Sequence, residues 1–263
     1  MLSNGTQAAD FIKVLHPTLR KNNLSHVAIA CCEATGWKAQ AALTKDIVAA
    51  GAEDLVGVFT GHTYSAPITS TQPTTRSKVW QTEASDLVGK WSTAWYTTGA
   101  DGDGLVWAYH LHDGLTAGNV SAYLWWVATQ DRETNGNNNE KLVLVDKGDY
   151  EVSKRFWAFA QYSRHIRPGA RRVDVASGGA AAAKGLRPTA FVNADGSVVV
   201  VAINGNAAAA QLSLAGVKSK SARAFLTDTT HDMAVTPVTV GADGVVTDIA
   251  LPARAMLTVV ILP

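Results

Sequence analysis

Up to residue 168 the apolar positions fall into short uninterrupted runs that alternate with stretches of helical periodicity; beyond it they alternate singly with polar positions. Ala8, Phe11, Ile12 and Leu15 recur at helical spacing behind Thr6, a capping residue type, with Pro17 marking the end of that helix. Residues 27–31 read as a buried strand and 38–50 as the helix after it, closed by Gly51; 56–60 and 78–82 read as further strands. A helical stretch over 103–115, a fourth strand over 121–127 and a helix with an aromatic face over 150–166 complete this half. Strand and helix in regular succession indicate a parallel sheet with crossover helices.

Downstream, the segments VDVA, TAFVNADGSVVVVAIN, AQLSLAG, ARAFLTD, VTPVTVGADGVVTDIAL and MLTVVIL are strands joined by Asn-Ala-Asp-Gly and Gly-Ala-Asp-Gly turns. That pattern is the one an antiparallel β-sandwich requires. All eight Trp residues lie before Pro168-Gly169, and the shift in composition there divides the chain into two domains, 1–168 and 169–263. The fold class is therefore α/β plus all-β. A (β/α)8 barrel needs about 250 residues, and only four strands are visible upstream, so the first domain is either an open α/β sheet or half of a barrel.

Composition narrows the partners. The 263 residues are 47% hydrophobic and 17% charged with a formal net charge of +1, so the chain has the makeup of a globular protein without the basic field that gathers nucleic acid or anionic membrane. No run reaches the roughly 20 apolar residues of a membrane span, and the residues after Met1, LSNGTQAAD, are not an export signal. The only cysteines are the adjacent Cys31 and Cys32, which rules out a disulfide scaffold and a zinc site. They read as two buried thiols, or as partners of cysteines outside this sequence.

In a parallel α/β barrel the reactive groups sit at the C-terminal strand ends. The first strand here ends in Cys31-Cys32-Glu33, followed by Trp37; the second in His62-Thr63-Tyr64; the third in Trp80-Gln81-Thr82-Glu83; the fourth in Trp125-Trp126. Carboxylates beside aromatic rings suit a sugar, whose C–H faces stack on indole while its oxocarbenium-like transition state needs a carboxylate at the anomeric carbon.

VWQTEAS at 79–85 resembles the seventh-strand nucleophile motif of glycoside hydrolase family 30, and His62 and Tyr64 resemble that family's sixth-strand His-x-Tyr pair. SAYLWW at 121–126 is similar to its eighth strand, and RFWAFAQYSRHIRPGARRV at 155–173 to its last barrel helix running into a side β-sandwich. The resemblance covers essentially the whole chain. It implies the C-terminal half of a (β/α)8 TIM barrel followed by a side β-sandwich. It also implies a secreted, retaining, endo-acting hydrolase of xylan or glucuronoxylan, closest to the fungal xylanases. The alternatives are a β-1,6-galactanase, a glucosylceramidase-like hydrolase or a non-catalytic carbohydrate-binding fragment. Glu83 takes the role of nucleophile and Tyr64 holds its carboxylate; His62, Glu33, Trp37, Trp125 and Trp126 join Tyr64 as sugar contacts. No metal or cofactor is implied, and the partner is a polysaccharide met by a monomer when the enzyme is full length.

The family's acid/base Glu follows an Asn at the end of its fourth strand. No Asn-Glu-Pro occurs in these residues, and the only Asn-Glu pair, Asn139-Glu140, lies beyond the eighth-strand region. The expectation is a truncated chain that is inactive alone because it lacks its acid/base and half the barrel; Glu33 lies on the rim, but a retaining pair needs carboxyls about 5–5.5 Å apart across the bond and nothing in the sequence gives Glu33 that spacing.

The remaining signals have plainer readings. His110 and His112, two apart on a helix, point to different faces and read as solvated. Asp101-Gly-Asp-Gly reads as a helix-initiating turn because it lacks the closing Glu of a calcium loop, and 130–140 reads as a mobile polar loop. Asn4, Asn23 and Asn119 begin N-x-S/T sequons.

Overall fold

The computed structural model describes residues 4–74, 76–135, 138–176, 178, 185–217 and 219–263. The chain forms two compact units, Met1–Ser85 with Asp113–Val127, and Asp86–His112 with Ala128–Pro263. The first unit opens with α1 (Gly5–Lys21), β1 (Ala30–Ala34), α2 (Trp37–Ala49), β2 (Val58–His62) and β3 (Lys78–Glu83). Helix α3 (Gly104–Thr116) then returns the chain to this unit through its last turn, ahead of β4 (Ala122–Tyr123).

Strands β1 to β4 form one sheet in sequence order, every neighbouring pair parallel. Register explains what each face carries: Cys31, Phe59 and Val79 are aligned across three strands and join Ala9, Ile12, Trp37 and Ile47 in the helix-side core. The next row, Cys32, Thr60, Trp80 and Ala122, turns to the opposite face. This is a partial α/β barrel.

Several boundaries differ from the sequence pattern. Asn4, not Thr6, caps α1: its Oδ1 accepts from Gln7 N at 2.9 Å while Gln7 Oε1 accepts from Asn4 N at 3.2 Å, a reciprocal box that satisfies two helix-end donors. The helix also runs through Pro17 to Lys21, with Arg20 and Lys21 in its last turn, where cations suit the helix dipole. Phe11, read as apolar-face material, is 63% exposed. The fourth strand shrinks to two residues.

In the second unit, β5 (Thr129–Asp131), α4 (Arg132–Asn135), β6 (Val143–Asp146) and β7 (Asp149–Val152) occupy the region read as a mobile loop and a helix start. Strand β6 pairs parallel with β5 and antiparallel with β7. Its hairpin turns on Lys147 and Gly148, both at positive φ (51° and 91°), the two-residue geometry that follows the twist of the flanking strands. Helix α5 (Lys154–Ser163) then begins four residues later than the aromatic pattern suggested.

The remaining strands are β8 (Arg171–Val173), β9 (Leu186–Val192), β10 (Val198–Asn204), β11 (Ala210–Leu214), β12 (Ser221–Thr227), β13 (Ala234–Thr236), β14 (Thr239–Val240), β15 (Val246–Leu251) and β16 (Ala255–Leu262). They make a six-stranded sheet, β13-β12-β16-β10-β9-β8, and a three-stranded sheet, β11-β15-β14. Val200, Ala202, Leu226, Leu257 and Val259 pack with Ile249 and Leu251 in one core, which makes this a β-sandwich. The alternate residues of β10, Val199, Val201 and Ile203, are buried as well, which is why that strand reads as an unbroken apolar run. Helix α5 lies against the same sheet, where Gln161 Nε2 donates to Phe225 O at 3.1 Å and Thr227 Oγ1 at 2.7 Å. The chain segment up to residue 168 therefore contributes a helix to the compact unit that holds the sandwich.

Candidate active site

The chemistry-bearing residues of the first unit gather where β1, β2 and β3 end, and two irregularities in the strands aim them. Between β1 and β2 the register passes from Cys32–Thr60 to Ala34–Gly61, leaving Glu33 as an extra residue at φ 60°. Between β2 and β3 it passes from Gly61–Gln81 to His62–Glu83, leaving Thr82 over. A bulge of this kind bends a strand and re-aims a side chain at its end.

The first bulge is held from below by Gln40 of α2, whose side chain is fully buried. Its Oε1 accepts from Cys32 N at 3.3 Å and Ala34 N at 3.2 Å, and its Nε2 donates to Cys31 O at 3.3 Å and Thr44 Oγ1 at 3.2 Å. One carboxamide thus satisfies the backbone groups that the bulge leaves out of the ladder. Gly61 makes room for it: a Cβ there would stand 2.8 Å from Gln40 Cγ. Cys31 and Cys32, read as two buried thiols or as partners of cysteines outside this sequence, are instead bonded to each other as a vicinal disulfide.

His62 lies between the two carboxylates. Its Nε2 is 2.9 Å from Glu33 Oε2 and its Nδ1 3.5 Å from Glu83 Oε2. Glu33 Oε2 also accepts from the Thr82 hydroxyl. Tyr64 Oη donates to Glu83 Oε2 at 3.2 Å, and its ring meets His62 edge-on at 5.7 Å. Both groups that reach Glu83 address Oε2, so Oε1 takes neither bond. A carboxylate fixed through one oxygen presents the other as a nucleophile. Glu33 is likewise held through Oε2, by His62 and Thr82, and its bond to Nε2 orients the imidazole.

The backbone of the fourth strand continues along β3 past its short ladder, with Leu124 N donating to Gln81 O at 2.9 Å and Trp126 N to Ala84 O at 3.1 Å. This seats the Trp125-Trp126 pair at the strand end that carries Glu83, with Trp126 45% exposed. Tyr123 is partly buried against the helix-side core, and burial pushes its hydroxyl above the usual tyrosine range, so it stays protonated.

Trp37 is not a sugar contact. It is 2% exposed, its Nε1 donates to Ser70 O at 2.7 Å, and it packs in the helix-side core; as the first residue of α2 its ring turns inward to fill the space under the sheet. His110 and His112 are half-buried rather than solvated, with His110 against the Trp107 ring at 4.9 Å. Asp103, from the Asp-Gly-Asp-Gly segment, is buried just ahead of α3 and accepts from Ser92 Oγ at 3.3 Å. Gln40 and Thr82 were not singled out in the sequence. Nothing marks a helix Gln or a strand Thr as a bulge partner until the register is known.

Tyr64→Phe is expected to lower kcat by one to two orders of magnitude in an enzyme that carries this site, because it removes one hydrogen bond to a charged group, about 1.5–3 kcal/mol. Steady-state kinetics with an aryl glycoside check this, with KM moving little.

Among the described residues, no group of three or more His, Cys, Asp or Glu side chains is disposed to hold a metal ion. No helix among them is long and apolar enough to cross a membrane.

Comparison with known proteins agrees with this architecture. Residues 169–259 match the glycosyl hydrolase family 30 β-sandwich domain. The whole chain superposes on the catalytic domain of the GH30 xylanase C from Talaromyces cellulolyticus with a TM-score of 0.91 and 35% identity, covering 58% of that protein's chain. It also shares its fold with the subfamily 8 xylanase Xyn30A of Clostridium acetobutylicum, with a TM-score of 0.76 and 23% identity over 99% of this chain and 61% of that one. The glucuronoxylanase XynC of Bacillus subtilis is 34% identical over 100 residues, 37% of this chain and 19% of that protein. The chain thus spans less than two thirds of these relatives. Residues 169–259 thus match the β-sandwich domain of glycoside hydrolase family 30, and the chain is similar along its full length to a family 30 xylanase.

Proposed function

We propose that this chain is the C-terminal part of a secreted, monomeric, retaining endo-xylanase acting on xylan or glucuronoxylan, built on a complete (β/α)8 barrel to which residues 1–168 contribute strands five to eight. Residues 169–263 are its side domain. Glu83 attacks the anomeric carbon through Oε1, and the glycosidic oxygen leaves with the electron pair as it is protonated by an acid outside these 263 residues. Water then opens the glycosyl ester with overall retention. Tyr64 and His62 hold Oε2, and Trp125 and Trp126 form a sugar platform. The observation that carries this reading is the Tyr64 hydroxyl on Glu83 Oε2 at 3.2 Å, at the ends of neighbouring strands. Xylan as the substrate class is supported by the likeness to the xylanase of Talaromyces cellulolyticus and to the glucuronoxylanase of Bacillus subtilis.

In this scheme Glu33 orients His62 through Oε2, and the acid is supplied from outside these residues. The isolated chain is accordingly expected to cleave no xylan. A fluoro-xyloside inactivator with a dinitrophenolate leaving group needs no protonation of that group, so it can report the nucleophile without the acid. Peptide mapping is expected to find the label on Glu83. A label on another residue, or xylan turnover by the isolated chain that disappears in Glu83→Ala, would overturn respectively the nucleophile assignment and the need for an outside acid.

A further inference from the structure

The sequons at Asn23 and Asn119 have no part in the proposed chemistry, and the fold places them alike. Asn23 lies just past α1, in the connection leading to β1; Asn119 lies just past α3, in the connection leading to β4. Both connections enter strands at their N-terminal ends, whereas Glu33, His62 and Glu83 occupy the C-terminal ends. A bulky group on either Asn would therefore stand at the end of the sheet away from the candidate site.

Both residues are exposed and sit at positive φ, 60° and 48°. Asn is tolerated in that region, so a turn alone would account for the Asn. It does not account for the hydroxyl two residues on. Ser25 is exposed, and its hydroxyl makes no hydrogen bond among the described residues; Ser121 Oγ makes only a long one, 3.4 Å to Val79 O. The fold has little use for the residue that glycosylation requires. Two further observations agree. The Cys31–Cys32 disulfide belongs to an oxidising compartment, and Asn23 adjoins the exposed apolar side chains Leu24 and Val27, at 40% and 46%, which a hydrated glycan would shield.

We propose that Asn23 and Asn119 are N-glycosylation sites. Each Nδ2 forms a bond to the anomeric carbon of an oligosaccharide carried on a lipid pyrophosphate; the lipid pyrophosphate leaves with the electron pair, and the amide proton passes to solvent. Asn4 adjoins residues outside the described set and is not included.

The proposal rests on the secreted part of the functional reading, and the test separates the two. The 263-residue chain is directed through the secretory pathway of a eukaryotic host, and both the medium and the membrane-enclosed fraction are collected. Enzymatic removal of N-glycans in heavy-oxygen water followed by peptide mapping is expected to leave labelled Asp at positions 23 and 119. Asn23→Gln and Asn119→Gln are each expected to remove the mass of one glycan. Unlabelled Asn at either position, in either fraction, overturns the assignment of that site while leaving the xylanase reading intact. Labelled sites with no reaction of Glu83 toward the inactivator would retain this proposal and sink the other.

Discussion

Glu83→Ala, made in a protein that joins this chain to the segment bearing the second carboxyl group, is expected to lower kcat on xylan by roughly 10⁴-fold or more, the scale on which covalent nucleophiles fail when removed. That factor corresponds to about 5.5 kcal/mol of transition-state stabilisation. The loss should be specific, because among the described residues Glu83 is part of no core cluster and the polar partners of its side chain are Tyr64 and His62. Binding of xylo-oligosaccharides, measured by calorimetry, should change by less than tenfold. The vacated space also admits a small anion. With azide and an activated aryl xyloside, turnover should return, and the product should be a glycosyl azide with its anomeric configuration inverted, since one displacement replaces two. Recovery of activity without azide, or a retained product, would assign the nucleophile elsewhere.

Arg155→Met is expected to destabilise the second unit by about 3–5 kcal/mol, the usual cost of removing one member of a buried charged network. Arg155 has no solvent exposure. Its Nη1 donates to Ser92 O at 3.0 Å and Gly102 O at 2.8 Å, and its Nη2 to Lys141 O at 3.2 Å, tying three separate stretches of backbone to α5. Burial lowers its pKa to about 10, against the opposing pull of Asp86 and Asp103. At any pH well below 10 the charge remains and the clamp is intact. In the variant, three carbonyls lose their donor and two carboxylates lose the nearest cation. Lys is a poor substitute, because a single ammonium cannot reproduce a planar fork directed at three acceptors. Hydrogen exchange should locate the damage: amides of residues 92–103 and 139–142 should lose protection first, together with a lowered urea midpoint. Unchanged exchange in those segments would show that the clamp contributes little.

Most strands of the β-sandwich are legible because their signals are local; the first, read at 173–176, lies instead at Arg171–Val173. The two Asp-Gly turns recur as hydrogen-bonded turns, with Gly196 N on Asn193 O at 3.0 Å and Gly244 N on Gly241 O at 2.9 Å, and both glycines take the positive φ such turns demand. The hairpin at Lys147-Gly148 carries a similar mark, but the helical periodicity over 150–166 masks its second strand. Trp37 departs from the sequence pattern for a different reason. Its place directly after a strand end suggested the rim, but whether the ring of a helix's first residue turns in or out depends on what packs beneath it.

The succession of strands and helices, the α/β part followed by a β-sandwich, and the placement of Glu33, His62, Tyr64 and Glu83 at or just past strand ends all follow from periodicity and turn chemistry within a few residues. That Glu33 and Glu83 share one imidazole, that Gln40 supports the bulge beneath Glu33, and that Cys31 and Cys32 pair with each other follow instead from the folded arrangement. Those facts depend on strand register and on a helix side chain reaching under the sheet past Gly61. Register is set by contacts between residues far apart along the chain, and no window of the sequence contains them.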